Sequence, residues 1–148
     1  MDTLARVLVI DDEPDVLLLC RVNLEHAGHQ VLVATDGEQG IALARAEHPD
    51  VIVLDIMLPT MDGYDVLEGL ADHEDTREVP VLLLSARARR EDKVRGLRAG
   101  AIRYVTKPFM PSTLTDDVQL LDSLTPEERT TSRTEALRDL SDSDEGAA

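Results

Sequence analysis

The chain has 148 residues, of which 43% are apolar and only 2% aromatic, and its formal net charge is −15. This length and composition suit one ordinary domain with an aliphatic core, and the single cysteine, Cys20, excludes an internal disulfide. The acidic balance argues against direct binding to nucleic acid. We also expect a soluble, cytoplasmic protein without membrane insertion, because the sequence has neither a signal-peptide shape nor an apolar run of about 18 residues.

Five short apolar runs recur along the chain, at residues 7–10, 31–34, 51–54, 81–84 and 102–105. None of them alternates with polar residues, which is typical of strands buried on both faces. The segments between them have helical periodicity, and Gly28 and Gly100 are placed as helix stop signals. This alternation predicts an α/β fold: a doubly wound, five-stranded parallel sheet of the (βα)5 flavodoxin-like type, in three layers with helices on both sides.

Residues 125–148 differ in composition from residues 1–124, which form the predicted domain. The sequence from Thr125 to Glu128 has the pattern of a capping box with proline at the first helical position. Few apolar residues follow, so we expect an acidic extension with a marginal helix and then a disordered tail from Ser141 onwards. A solvated extension is the favoured interpretation, and a tail that docks on a partner is the alternative.

Polar residues stand where the predicted strands end. Asp11 and Asp12 follow the first strand, Asp55 the third and Ser85 the fourth, and Lys107 comes shortly after the fifth. The carboxyl ends of parallel strands share one edge of the sheet, which is where ligands bind in open α/β folds. We therefore expect three carboxylates, one hydroxyl and one ammonium to lie together.

Three neighbouring carboxylates repel each other and raise one another's pKa unless a cation compensates them. Mg²⁺ prefers such hard oxygen ligands and is commonly held by one or two carboxylates together with a phosphate. An aspartate can also act as a nucleophile and form an aspartyl phosphate. Mg²⁺ and Lys107 would supply positive charge for phosphoryl transfer, and the Ser85 hydroxyl a hydrogen bond to a phosphoryl oxygen.

These residues, in this order and at these intervals, resemble the receiver domain of two-component response regulators over about residues 4–124. The residues that carry the resemblance are Asp11-Asp12, Asp55 with Pro59 and Asp62-Gly63, Ser85-Ala86, Gly100-Ala101, Tyr104 and Lys107-Pro108-Phe109. The resemblance implies that Asp55 accepts a phosphoryl group from the phosphohistidine of a sensor histidine kinase or phosphotransfer protein. It also implies that Asp12, Asp55 and the main-chain carbonyl of Met57 bind Mg²⁺, with Asp11 acting through a metal-bound water.

The resemblance further implies a switch. Lys107 would pair with the carboxylate or the phosphoryl group, and its bond to Pro108 would be cis. Ser85 would move toward the phosphoryl group and Tyr104 would turn inward, so that the face formed by the fourth helix, fifth strand and fifth helix changes shape.

Two further positions are implied to set the lifetime of the phosphorylated state. In the family, the residues two positions after the phosphoacceptor and two after the switch hydroxyl flank the path of hydrolytic water. Here these residues are Met57 and Arg87. The protein would catalyse its own phosphorylation and slow dephosphorylation, as a signalling switch rather than as a turnover enzyme.

The chain departs from the family pattern at the face used for dimers. Arg103 stands where many relatives carry an acidic residue, and the fifth helix carries Asp116, Asp117 and Asp122 but no base. The usual charge-paired dimer is therefore in question, and Arg103 could meet these acids within the chain or across another interface of a phosphorylation-dependent homodimer. No output domain is expected after the fifth helix, so the output would be a contact with an unknown downstream protein, a relay to another phosphoacceptor, or action through the tail.

Two other functions on this fold are disfavoured. A flavodoxin-like nucleotide binder would need glycine and hydroxyl residues after the first strand, where this chain has acids. A haloacid-dehalogenase-type phosphohydrolase uses an Asp-x-Asp pattern, and Met57 takes the place of the second aspartate. A degenerate receiver that acts as a phosphorylation-independent interaction scaffold is the remaining alternative.

Overall fold

The computed structural model describes residues 4–146, and the side chains of residues 4–141. The described residues form five strands and six helices. In chain order they are β1 (Arg6–Ile10), α1 (Pro14–His26), β2 (Gln30–Ala34), α2 (Gly37–Glu47), β3 (Val51–Asp55), α3 (Gly63–Asp72), β4 (Val81–Ser85), α4 (Arg90–Arg98), β5 (Arg103–Thr106), α5 (Pro111–Ser123) and α6 (Pro126–Gly146). Each predicted strand is found within one residue of its expected bounds, and the predicted α/β fold is confirmed.

The five strands form one parallel sheet in the order β2-β1-β3-β4-β5. The chain passes from β1 outward to β2 and then returns to place β3 on the other side of β1. Ile10 at the end of β1 therefore lies between Ala34 of β2 and Leu54 of β3. This reversal of strand order is the topological switch point, where the loops after β1 and β3 separate and leave room for a site.

The sheet is buried on both faces because successive strand residues point to opposite sides. Val7 and Val9 belong to a core cluster that includes Leu114 and Val118 of α5, and Cys20 and Leu24 of α1 contribute to the same cluster. Leu8 and Ile10 belong to the cluster on the other face, which includes side chains from α2 and α3. This alternation explains why the strands read as continuous apolar runs, and it produces the three predicted layers.

Helix α6 is longer than the sequence predicts. The expected capping box is confirmed: Thr125 N donates to Glu128 Oε1 at 3.0 Å, and Glu128 N donates to Thr125 Oγ1 at 3.2 Å. The helix then continues to Gly146, although a disordered tail is expected from Ser141, and residues 147 and 148 of that tail lie outside the described residues. α6 also packs against α4, so it is not the free, solvated extension that its composition favours.

No helix formed by the described residues combines the length and the apolar character that a membrane span requires.

Candidate functional site

The ammonium group of Lys107 lies among three carboxylates at the carboxyl ends of the strands. Its Nζ is 3.0 Å from Asp11 Oδ2, 2.9 Å from Glu13 Oε1 and 3.2 Å from Asp55 Oδ2. Asp11 directly follows β1, Asp55 ends β3 and Lys107 directly follows β5. Residues separated by up to 96 positions in the chain therefore meet at one point because parallel strands end at the same edge.

Three of these four groups are largely withdrawn from water, whereas Glu13 is exposed. The side chains of Asp11 and Asp55 are 1% and 3% exposed, and that of Lys107 is 12% exposed. Burial raises the pKa of Asp11, and the charge of Asp55 adds to this effect. Burial alone would lower the pKa of Lys107, but hydrogen bonds to Glu13 and Asp11 and the negative charges around it outweigh burial and raise its pKa. The lysine is thus held in its charged form, and its charge stabilises the carboxylates.

Main-chain groups orient the two buried carboxylates. Asp11 Oδ1 accepts a hydrogen bond from Glu13 N at 2.9 Å, and Asp55 Oδ1 accepts one from Met57 N at 3.1 Å. In each aspartate the second oxygen, Oδ2, faces Lys107. Because each carboxylate is held by its own loop as well as by the lysine, its direction does not depend on one partner alone.

The acidic residues at this edge fit a divalent cation. One carboxylate oxygen each from Asp11, Asp12, Glu13 and Asp55 can be chosen so that all lie within 4.8 Å of one another. Asp12 and Glu13 are exposed, whereas Asp11 and Asp55 are buried, so this oxygen-rich cluster is open to water on one side. Hard oxygen donors with water access match what Mg²⁺ requires.

Glu13 was not predicted as a site residue. Its only signal in the sequence is its place directly after Asp11 and Asp12, and a glutamate at that place would also serve in the entry to a helix. The structure adds it to the cluster through its contact with Lys107. Met57 lies beside the cluster through its main chain, while its side chain is 52% exposed.

A second group, formed by Ser85, Arg87 and Tyr104, is joined to the first. Ser85 Oγ accepts a hydrogen bond from Arg87 N at 3.2 Å, and the Tyr104 hydroxyl donates to Arg87 O at 2.7 Å. Lys107 N donates to Ser85 O at 2.8 Å, and the bond from Lys107 to Pro108 is cis, as predicted. Burial raises the pKa of Tyr104 to about 12. Residues 85, 87 and 104 thus form one hydrogen-bonded path next to the carboxylate cluster.

Arg103 pairs with an acidic residue of its own chain, which is one of the two possibilities that the sequence leaves open. Its Nε lies 2.9 Å from Oδ1 of Asp117, which is buried on α5. β5 is the edge strand next to β4, and α5 follows it directly, so the two residues come together without a second subunit.

Comparisons with known proteins agree with this geometry. The family described as the response regulator receiver domain matches residues 7–119. Protein PilH of Pseudomonas aeruginosa is 40% identical over 111 residues, which cover 75% of this chain and 92% of PilH. The transcriptional regulatory protein KdpE of Mycobacterium tuberculosis is 53% identical over 104 residues, which cover 70% of this chain and 44% of KdpE.

Other relatives are also matched over only part of their length. The chain spans 43% of RpaA of Synechocystis, described as a DNA-binding dual master transcriptional regulator, with 47% identity over 104 residues. Among solved structures, the chemotaxis response regulator CheY4 of Vibrio cholerae matches with a TM-score of 0.76 and 31% identity, covering 80% of this chain and 99% of CheY4. The parallel sheet, the acidic edge with its lysine and these matches lead to one conclusion: the chain belongs to the response regulator receiver domain family.

Proposed function

We propose that this protein is a response regulator whose Asp55 accepts a phosphoryl group from a sensor histidine kinase or a phosphotransfer protein. The observation that carries the proposal is the contact of Lys107 Nζ with Asp55 Oδ2 at 3.2 Å, inside a cluster of further carboxylates. A buried aspartate beside a fixed positive charge is a suitable nucleophile for phosphoryl transfer, because catalysis of this reaction depends mainly on positioning and charge neutralisation.

In the proposed step an Asp55 carboxylate oxygen attacks phosphorus and forms the new P–O bond. The P–N bond to the donor histidine breaks, and the imidazole leaves with the bonding electron pair and takes up a proton. Lys107, whose pKa is raised, remains charged and balances the negative charge of the transferred group. The Ser85 hydroxyl would turn from Arg87 N to hydrogen-bond a phosphoryl oxygen.

Asp12, Asp55 and the main-chain carbonyl of Met57 are proposed to hold Mg²⁺, with Asp11 acting through a bound water. When bound, the ion supplies additional positive charge for the phosphoryl oxygens. The oxygen-rich, partly exposed cluster supports this assignment. The ion would share these carboxylates with Lys107, which already bonds to Asp11, Glu13 and Asp55.

Phosphorylation is proposed to act as a signal to a downstream protein. Ser85 and Tyr104 are hydrogen-bonded to two main-chain atoms of Arg87, so movement of Ser85 toward the phosphoryl group would free the main chain of Arg87, and with it the acceptor of the Tyr104 hydroxyl, to shift. Met57 and Arg87 are proposed to set the lifetime of the phosphorylated state. An unchanged dephosphorylation rate in Met57→Ala would contradict the role of Met57.

Incubation with acetyl phosphate and Mg²⁺, read by intact mass, tests the proposal directly. We expect a gain of one phosphate, which is lost in Asp55→Asn and after chelation of the metal. Asp15→Asn is the matched control, because Asp15 is an exposed acid near the cluster but outside it. A gain of phosphate that persists in Asp55→Asn would refute Asp55 as the acceptor.

A further inference from the structure

Helix α6 presents one continuous stripe of side chains to the rest of the protein. The partly buried residues of its described side chains are Arg129, Ser132, Arg133, Ala136, Leu137 and Leu140. Their spacing of three and four residues places them on a single face of the helix. The other described side chains of α6 are exposed. The helix is therefore docked over residues 129–140.

The stripe packs against α4 and borders a groove over β5 and α5. The surface formed by these three elements is represented by Leu97 of α4, Tyr104 of β5 and Asp117 of α5, and we refer to it as the α4–β5–α5 face. These three residues line a groove of about 560 Å³ whose other wall includes Ala136 and Leu140 of α6. β5 is an edge strand, so the groove lies beside an edge of the sheet that no further strand covers.

Two hydrogen bonds connect α6 to the rest of the domain, one near its N-terminal end and one at Leu140. Arg129 Nη1 donates to Glu78 O at 2.9 Å, and Arg90 Nε donates to Leu140 O at 2.8 Å. The second bond comes from the first residue of α4. The contact at Leu140 is therefore sensitive to the position of α4 and of the loop that precedes it.

The docking is weak enough to be reversible. Only Ala136, Leu137 and Leu140 of the six contact residues are aliphatic, and all are partly rather than fully buried, so little apolar surface leaves water. Arg129 Nε and Arg133 Nε are buried without a hydrogen-bond partner among the described residues, which opposes docking. A helix held in this way can leave its site without unfolding the domain beneath it.

A continuous path leads from the carboxylate cluster to α6. Lys107 N bonds to Ser85 O, Ser85 Oγ accepts from Arg87 N, and Arg87 O accepts from the Tyr104 hydroxyl. Tyr104 lines the groove beside α6, and Arg90, three residues after Arg87, bonds to Leu140 O of α6. A change at Ser85 thus reaches both contacts through one short loop.

We propose that α6 is a built-in occupant of the α4–β5–α5 face, docked while Asp55 is unphosphorylated and displaced when Asp55 is phosphorylated. The release step rests on the proposed function, whereas the docking itself does not. While α6 is docked, a downstream protein or a second copy cannot use this face, so binding of either one competes with α6. By reciprocity, loosening α6 also favours the phosphorylated state.

Hydrogen exchange of the full-length protein, followed by mass spectrometry, measures the docking of α6. The double variant Leu137→Ala, Leu140→Ala removes two contacts while keeping good helix formers, so faster exchange would report undocking rather than loss of intrinsic helicity. We expect amide exchange in α6 to rise on the order of tenfold, as for loss of partly buried leucine contacts. The control Thr131→Ala, Thr134→Ala changes two exposed residues of the same helix and should leave docking intact.

Phosphorylation should have the same effect on the wild type. With acetyl phosphate and Mg²⁺, we expect a gain of one phosphate together with faster exchange in α6, and faster phosphorylation of the leucine double variant than of the control. If the leucine double variant loses the core fold, Leu140→Ala alone provides the same comparison.

Each outcome separates the two proposals. A gain of phosphate with unchanged exchange in α6 overturns the release step and leaves the proposed function standing. Failure to gain phosphate overturns the proposed function and the release step together. Equal exchange in α6 of the resting wild type and the leucine variant overturns the docking, whatever happens at Asp55.

Discussion

Gly63 offers a sharp test of how the phosphoacceptor loop is supported. It is the first residue of α3, and its N–H donates to Ile56 O at 2.7 Å. A Cβ added at Gly63 would lie 2.6 Å from Ile56 Cα and 2.8 Å from Asp55 O. Both are main-chain atoms, so no side-chain rotation can relieve the contact. We therefore expect Gly63→Ala to push the helix away from the loop that carries Asp55.

The size of the effect follows from these distances. Carbon atoms pack favourably at about 3.5 Å or more, so the two segments must separate by about 1 Å. Overpacking of this kind destabilises a domain by about 1–3 kcal/mol. A misplacement of the acceptor by a similar distance lowers a transfer rate by about tenfold to a hundredfold. Gly63→Ala should therefore lose both stability and phosphorylation rate.

Urea denaturation and the rate of phosphate gain from acetyl phosphate measure the two effects. Gly69→Ala is the matched control on the same helix, where the added Cβ would lie 2.7 Å from Ile41 Cδ1, the end of a side chain that can rotate. Alanine is favoured over glycine in a helix by about 1 kcal/mol, which offsets that contact. Equal stability and equal phosphorylation rates for Gly63→Ala and Gly69→Ala would refute the proposed support of the loop.

Three other predictions follow from burial and charge. Arg103→Ala leaves the buried carboxylate of Asp117 without its partner. Because Arg103 is itself 46% exposed, we expect the free energy of unfolding to fall by only about 1 kcal/mol. Adding Asp117→Asn to this variant should restore the lost stability. No recovery in the double variant would contradict this account. Cys20 is fully buried, and burial raises its pKa to about 12. Iodoacetamide at pH 8 should therefore label this thiol only after the protein unfolds. Equal labelling of folded and unfolded protein would contradict this prediction. Burial raises the pKa of Tyr64, and raises that of Tyr104 from 10.0 to about 12, so both tyrosines keep their protons in the folded state to higher pH than in the unfolded chain. Stability present below pH 10.0 should therefore fall as pH rises toward about 12, and a tyrosinate absorbance titration that is identical with and without urea would contradict it.

Much of the fold could be predicted because it is encoded locally. Each strand is a short run of aliphatic residues, and a run without alternation indicates a strand covered on both sides. The capping box from Thr125 to Glu128 is likewise a local pattern, and the structure shows both of its hydrogen bonds. The edge on which Asp11, Asp55 and Lys107 meet follows from the rule that parallel strands end together.

Several features could not be predicted because they depend on distances between remote segments. Glu13 joins the cluster only because the loop after β5 brings Lys107 Nζ to 2.9 Å from it. Arg103 and Asp117 pair within one chain, although their sequence positions allow a contact between two chains equally well. The contact stripe of α6 mixes arginine and serine with three aliphatic residues, so its pattern is too polar to indicate a docked helix.

Local sequence patterns were enough to predict the order and type of the elements, the parallel sheet and the set of polar residues at its edge. The three-dimensional packing was needed to show which carboxylates share the lysine, which acid pairs with Arg103, and that α6 packs against α4 beside the groove over β5 and α5. These two groups of features differ in the sequence separation of the residues that interact to produce them. Periodicity and capping act over a few neighbouring residues, whereas burial and charge pairing depend on how the whole chain packs.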